Sequence, residues 1–179
     1  MFLKKILCKR KEVIVFLILL LIIFYRSPYI FLNGRFIAEE GSIFFANAYK
    51  HDFFYSLIFV DFLAGYFNFW ANFSGIVANI FSLKLAPLIS NYLALIPKFL
   101  IFYVILYKES YLFEKFKFKF FFCFLILLSP YNVPEIWLNS INSQIFFCIL
   151  SFLLILSKYQ KNKVDYLSTV IIFISGFTG

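Results

Sequence analysis

The sequence predicts an all-α protein: a polytopic transmembrane helical bundle of four to five spans, with interfacial helices on its outer side. Three observations lead there. Apolar residues make up 63% of the chain and charged residues 15%, against roughly 45–50% and about 25% in soluble domains. Uncharged runs recur at 13–25, 85–97, 120–134, 136–157 and 166–179, and a bilayer core about 30 Å thick takes about 20 apolar residues of helix. The basic residues fall in short clusters between those runs, which marks cytoplasmic loops. One membrane domain over 1–179 follows, with little room for a soluble one.

The net charge of +8 does not indicate nucleic acid, because the charge is dispersed among membrane-flanking clusters. The three cysteines are odd in number and lack metal-like spacing, so buried free thiols are expected. The 29 phenylalanines accompany abundant Ile, Lys, Asn and Tyr. That mixture fits an AT-rich coding bias better than an aromatic binding surface.

The first span is read over about 12–32. Lys4, Lys5, Lys9, Arg10 and Lys11 precede it, and no small-residue cleavage site follows. It is therefore a retained helix with its N-terminus in the cytoplasm, and Arg26 snorkels to the outer surface. Residues 33–84 form an outer loop with two or three short interfacial helices. The second span is 85–107, kinked near Pro97, and 108–119 is cytoplasmic. The third is 118–131, short enough to require tilt or a thinned bilayer. An outer turn at 131–136 leads to the fourth span, 137–157. Residues 158–165 are cytoplasmic and a fifth helix starts near Tyr166.

This map turns on 65–83, which is apolar but carries Asn68, Asn72, Ser74 and Asn79. Lys98 sits mid-helix in either case and is set aside. If 65–83 spans, six basic residues lie inside and ten outside; if it lies at the interface or re-enters, twelve lie inside and four outside. The positive-inside bias selects the second arrangement, and interfacial asparagines cost less than lipid-facing ones.

On that map two acidic patches face the same compartment. The first is Ala38-Glu39-Glu40-Gly41. In a helix starting near Glu39, positions 40, 47 and 51 share a face, bringing Glu40, Asn47 and His51 together. The second is Glu135-Ile136-Trp137-Leu138-Asn139, and positions 135, 139 and 142 put Glu135, Asn139 and Asn142 on one helical face. Acids beside membrane spans are functional candidates. The plainer reading is that Glu at a helix start compensates the dipole and Asn caps it. Near the first patch, His51 and Asp52 read as a helix end. Gly65-Tyr66-Phe67-Asn68 reads as a turn, and Asn72-Phe73-Ser74 is a weak glycosylation sequon. Lys98 is either a phosphate contact or a lysine snorkelling along the Pro97 kink. No phosphate-binding glycine loop, paired metal histidines or Ser/His/Asp set is present.

The ordered set of segments 36–48, 65–68, 135–144 and 175–179 resembles uncharacterised bacterial members of the GT-C superfamily of membrane glycosyltransferases. These take sugars from polyprenyl-phosphate donors. The resemblance covers the chain from about Arg35 onward. It implies sugar transfer to an acceptor at the outer face of the bacterial inner membrane. Glu40 or Glu39 would act as general base. Asn47, Glu135, Asn139 and Asn142 would line the same outward-facing cavity, with membrane lipid as partner and no nucleic acid. Either a divalent cation on carboxylate and Asn oxygens, or lysines or Arg35, would screen the departing phosphate. Which metal, if any, is left open, as are the sugar and the acceptor. Such enzymes have about eight to thirteen helices, so the chain is expected to be the N-terminal part of a larger fold, an inactive fragment, or one piece of a split protein. The reading from a different class is a non-catalytic membrane subunit or part of a transporter for lipid-linked sugars, in which Glu40 and Glu135 bind or gate.

The charge count generates a topology test. Single cysteines at positions 42, 112 and 160, in a background lacking Cys8, Cys123 and Cys148, are expected to react with a membrane-impermeant maleimide from outside at 42 only. Outside labelling at 112 would overturn the map.

Overall fold

A computed structural model describes residues 2–62, 65–108, 110, 112–128, 134–157 and 166–178. The chain is mostly helical. α1 (Phe2–Arg26) is followed by α2 (Pro28–Asn33), a 3₁₀ turn at Ala38–Glu40, a π turn at Gly41–Phe45, α3 (Ala46–Lys50) and α4 (Phe53–Leu57). A two-residue hairpin pairs β1 (Val60–Asp61) with β2 (Tyr66–Phe67), antiparallel, with Asp61 opposite Tyr66. Then come α5 (Phe69–Asn79), α6 (Ala86–Tyr107), α7 (Phe116–Leu128), α8 (Pro134–Trp137), α9 (Ser143–Ile155) and α10 (Tyr166–Gly176). The hairpin is the one departure from the all-α expectation among the described residues.

The spine is α6, which packs against α1, α2, α5, α7 and α9. Its 22 residues give a length of about 33 Å, and it is the one described helix long and apolar enough by itself to cross a bilayer. Pro97 lies inside it. Proline has no N–H, so the carbonyl four residues back loses its helical donor. That carbonyl, Leu93 O, accepts the indole N–H of Trp70 at 3.3 Å instead. The freed group thereby anchors α5. The core around α6 comprises Leu19 and Ile23 of α1, Leu95, Phe102 and Ile105 of α6 itself, Leu127 of α7, Trp137, and Phe147 and Leu150 of α9.

The first span corrects the expected continuous helix over 12–32. It ends at Arg26, and the chain from Pro28 leaves at 88° to it. The cause is Pro28: the residue before a proline is driven out of the helical region, and Ser27 sits at φ −147°, ψ 58°. The fourth span is also shorter than the expected 137–157. It begins at Ser143, after non-helical residues 138–142. The third begins at Phe116, near its expected start. Of the expected outer turn at 131–136, residues 131–133 lie outside the described residues and 134–136 belong to the single helical turn α8; the expected cytoplasmic segment 158–165 lies outside them altogether.

Segment 65–83 contains α5, whose 11 residues amount to about 16 Å, about half a bilayer core. Its asparagines face protein, as expected for a segment that does not span. Asn68 caps the helix by accepting from Ala71 N at 2.9 Å. Asn72 donates to the carbonyls of Leu57 and Phe59 at 3.2 and 2.8 Å, and Asn79 to that of Ala48 at 2.9 Å. Ser74 pairs with Ser90 at 3.1 Å. Asn72 is 1% exposed, so the sequon is closed to modification in the folded chain.

Two glycines set the spacing of this region. Gly34, at φ +59°, lets the turn after α2 run against α6, where a Cβ would sit 2.5 Å from Leu88 N. Gly75 lets α5 touch the π turn, where a Cβ would lie 2.8 Å from the carbonyl oxygen of Phe44. The obstacle is backbone and cannot swing aside. Gly75→Ala is therefore expected to destabilise by about 1–3 kcal/mol, read as a lower midpoint of thermal unfolding in detergent. An unchanged midpoint would show that α5 and the π turn can separate without loss.

Candidate functional site

The 3₁₀ turn at Ala38–Glu40 decides which glutamate faces where. With about three residues per turn, successive side chains point about 120° apart, so adjacent acids cannot share a direction. Glu39 is exposed and Glu40 is 2% exposed. Ala38 enters the turn at φ +51°, the left-handed region that a residue with a Cβ rarely occupies.

Glu40 is enclosed by donors from three parts of the chain. Its Oε2 accepts the N–H of Ile37 at 3.0 Å, closing the turn. Its Oε1 accepts the Ser90 hydroxyl of α6 at 2.9 Å. The same oxygen accepts the N–H and the hydroxyl of Ser140, both at 2.7 Å. Burial pushes the carboxyl pKa up, and the bonds from Ser140, Ile37 and Ser90 pull it back only in part. The expected open, outward-facing cavity over Glu40 is therefore corrected. Its lone pairs are taken by protein donors, which suits a carboxylate that holds segments together.

Next to it, Asn91 of α6 is fully buried and joins the same two segments. It accepts from Arg35 N and donates to Arg35 O, both at 2.9 Å, and donates to Leu138 O at 3.0 Å. Asn68 donates to Ile141 O at 2.9 Å, and Ser143 donates to Ala94 O at 3.5 Å. Phe69 N donates to Phe177 O at 2.9 Å. Segments 36–48 and 135–144 thus meet through Glu40, Asn68 joins them through Ile141, and Phe177 reaches Phe69 at the start of α5.

The remaining expected site residues divide. Asn139 is buried, but its Oδ1 accepts Ile141 N at 2.8 Å within its own turn. Glu135 is exposed, and its backbone carbonyl accepts from Asn142 Nδ2 at 2.8 Å. The shared helical face of Glu135, Asn139 and Asn142 is corrected, because α8 stops at Trp137 and the next five residues turn. Asn47 is buried one side of α3, and its Nδ2 finds no partner among the described residues. His51 lies beyond the end of α3, exposed, and stacks on Tyr55 at 4.5 Å. It therefore does not join Glu40 and Asn47. Asp52 caps α4 through Tyr55 N at 2.9 Å. A cleft of about 380 Å³, lined in part by His51, Asp52 and Phe53, lies between α3, α4 and α5, away from both acidic patches. Arg35 is held by its backbone, and its side chain is exposed.

Glu39 has neighbours that the sequence did not single out. Burial holds the Tyr66 phenol above its usual range, and the charges of Glu39 and then Asp61 add to that rise. Both carboxylates therefore lie near the phenol. Among the described residues no group of three or more His, Cys, Asp or Glu side chains gathers into a metal-ligand set.

The pinned carboxylate generates a stability test. Glu40→Ala takes the acceptor from Ser140 N, Ser140 Oγ and Ile37 N, while Ser90 keeps Ser74, and is expected to cost about 3 kcal/mol. The raised pKa means that the folded state holds its proton to higher pH than the unfolded chain. Between the two pKa values stability falls as pH rises. Glu40→Gln is expected to remove that slope, measured as unfolding midpoint against pH from about 4 upward. A wild-type midpoint that rises over the same interval would contradict the assignment.

Compared with protein-family models, curated proteins and solved structures, the chain finds no match in any of the three.

Proposed function

We propose that the chain is a polytopic membrane protein that transfers a sugar from a polyprenyl-phosphate donor to an acceptor at the outer face. In this reading Glu39 is the general base and Glu40 the residue that positions it. The observation that carries the reading is the convergence on Glu40 of its own turn, Ser90 of α6 and the distant Ser140. That knot leaves the adjacent Glu39 exposed on a turn entered through a left-handed alanine. Strained backbone beside a solvent-facing acid is a recurrent feature of working sites.

The membrane placement draws support from the outer surfaces of the helices. α1 exposes Val13, Leu17, Leu21 and Phe24; α7 exposes Phe118, Phe121, Leu125 and Leu128; α10 exposes Leu167, Val170 and Phe173. Apolar stripes of that extent are not left facing water in soluble monomers. α7 and α10 are short for a full bilayer, so the lipid around them would be thinned.

In the proposed step Glu39 takes the proton of the acceptor hydroxyl as its oxygen attacks the anomeric carbon. The bond from that carbon to the donor phosphate breaks, and the phosphate leaves with the electron pair. Tyr66 and Asp61 flank the base and set its surroundings. A non-catalytic binding role is the second reading, favoured by the complete hydrogen bonding of Glu40.

The test uses the purified full chain in proteoliposomes, with a panel of radiolabelled polyprenyl-phosphate sugars. Wild type is expected to transfer at least one of them. Glu39→Gln is expected to lose about 100-fold or more without a change in unfolding midpoint, because the side chain is exposed. Donor binding that survives with no transfer in wild type would favour the non-catalytic reading. Full transfer in Glu39→Gln would remove Glu39 as the base.

A further inference from the structure

Two cations meet on a single aromatic ring, one buried on α6 and one half-buried at the end of α1. Lys98 of α6 is 2% exposed. Its ammonium lies 4.7 Å from the Trp137 ring centroid and 4.5 Å from that of Phe146. The Arg26 guanidinium, at the end of α1, lies 5.8 Å from the same Trp137 centroid and donates to the carbonyl of Leu127 on α7. Neither cation has a carboxylate within ion-pair distance among the described residues. The one opposite-charge pair among them is Lys119–Glu12, at 3.9 Å.

Ring faces attract cations, but two positive charges on one indole repel each other, and a buried charge without a counter-ion is unfavourable. A lysine placed only to fill space would be replaced at no loss by methionine. Holding an ammonium and a guanidinium together makes physical sense when a negative group sits between or beside them.

The level of this pair in the fold narrows what that group is. Along α1, Glu12 meets Lys119 and Arg26, at the helix end, meets Leu127. The rise from Glu12 to Arg26 is about 21 Å. Lys119 also donates to Leu106 O at 2.6 Å, so the far end of α6 lies beside Glu12. A helical side chain leans toward the N-terminus of its helix, which carries the Lys98 ammonium up to the level of Arg26. On the membrane reading above, with the bilayer thinned to match the 13 residues of α7, that level is the outer headgroup region, about two turns below the Glu40 knot at Ser90.

We propose that Arg26 and Lys98 form a binding site for a phosphate group, walled by Trp137 and Phe146. Phosphate is the anionic chemistry available at headgroup depth. It has oxygens enough to accept from a forked guanidinium and a point-like ammonium together. The source is either a phosphate monoester on a lipid or free phosphate. The site rests on the membrane placement but not on sugar transfer, so it stands or falls separately from the role of Glu39.

The experiment is native mass spectrometry and thermal unfolding of the full chain in detergent, with three probes: inorganic phosphate, dihexanoyl phosphatidic acid and decaprenyl monophosphate. At least one phosphate probe is expected to bind and to raise the wild-type unfolding midpoint. Lys98→Met and Arg26→Gln are each expected to weaken that binding tenfold or more, while the exposed Lys84→Met leaves it unchanged. Lys98→Met alone, without probe, is expected to unfold at a higher temperature than wild type, because the uncompensated charge is gone. Should one variant fail to fold, the other carries the comparison. Binding of all three probes, or of inorganic phosphate alone, assigns the site to the phosphate group itself. Binding of the lipid probes only assigns it to a lipid phosphate. Equal affinity in wild type and both variants, or no binding of any probe to wild type, overturns the proposal. Loss of transfer in Glu39→Gln with phosphate binding intact would separate the two sites.

Discussion

The structure depends on one buried carboxylate. Glu40 lies away from solvent in a chain with little polar material, and an ionised carboxylate there must be surrounded by donors. Those donors come from Ile37 in its own turn, Ser90 on α6, and Ser140 in the turn before α9. Meeting that requirement fixes the outer loop against the central helix and draws in a segment 100 residues away. Asn91 repeats the arrangement beside it with a neutral amide, so the same two segments are tied twice over.

The irregular backbone follows from the same economy of polar groups. Residues 138–142 are not helical, and their N–H and C=O groups would be unfavourable beside hydrocarbon if left open. They are met by side chains: Glu40 takes Ser140 N, Asn139 takes Ile141 N, Asn68 serves Ile141 O and Asn91 serves Leu138 O. Pro97 frees a carbonyl in α6, and Trp70 takes it up. Each departure from regular helix is thus paired with a named side chain, which is how a helical protein of this composition can carry a shaped interior.

The sequence made the helices readable because apolar runs and charge clusters are additive signals. α6 was expected at 85–107 and is found at Ala86–Tyr107, and α5, expected not to span, is 11 residues long. The breaks were harder. Pro28 was visible, yet the apolar run continued through it. The turn at 138–142 carries no proline or glycine and reads as helix by periodicity. The acidic patch was legible, but the division of labour between its glutamates was not, since it depends on a 3₁₀ turn followed by a π turn, and neither has a sequence signature. Ser90-Asn91 left a signal that was not weighed: two adjacent polar residues within an otherwise apolar span are expensive, and both proved to be partners of the acidic loop. Asp61 and Tyr66 come together only through a two-residue hairpin, too short for any alternation pattern to announce.

Charge in this molecule is sorted by depth along α6. About two turns separate Ser90, where the helix meets a buried anion, from Lys98, where it holds a buried cation between aromatic rings. Trp137 and Ser140, three residues apart in one turn of chain, serve the two levels in turn. Opposite charges at those two heights on one helix cannot neutralise each other directly, so each has to be compensated locally. At the upper level the compensation is internal and complete, through hydroxyl and backbone donors. At the lower level the protein supplies ring faces to two cations that repel one another. That asymmetry sets the upper level apart as scaffold and leaves the lower one with positive charge that no described carboxylate meets. The exposed Glu39 stands outside both, since its neighbour has taken up the structural work.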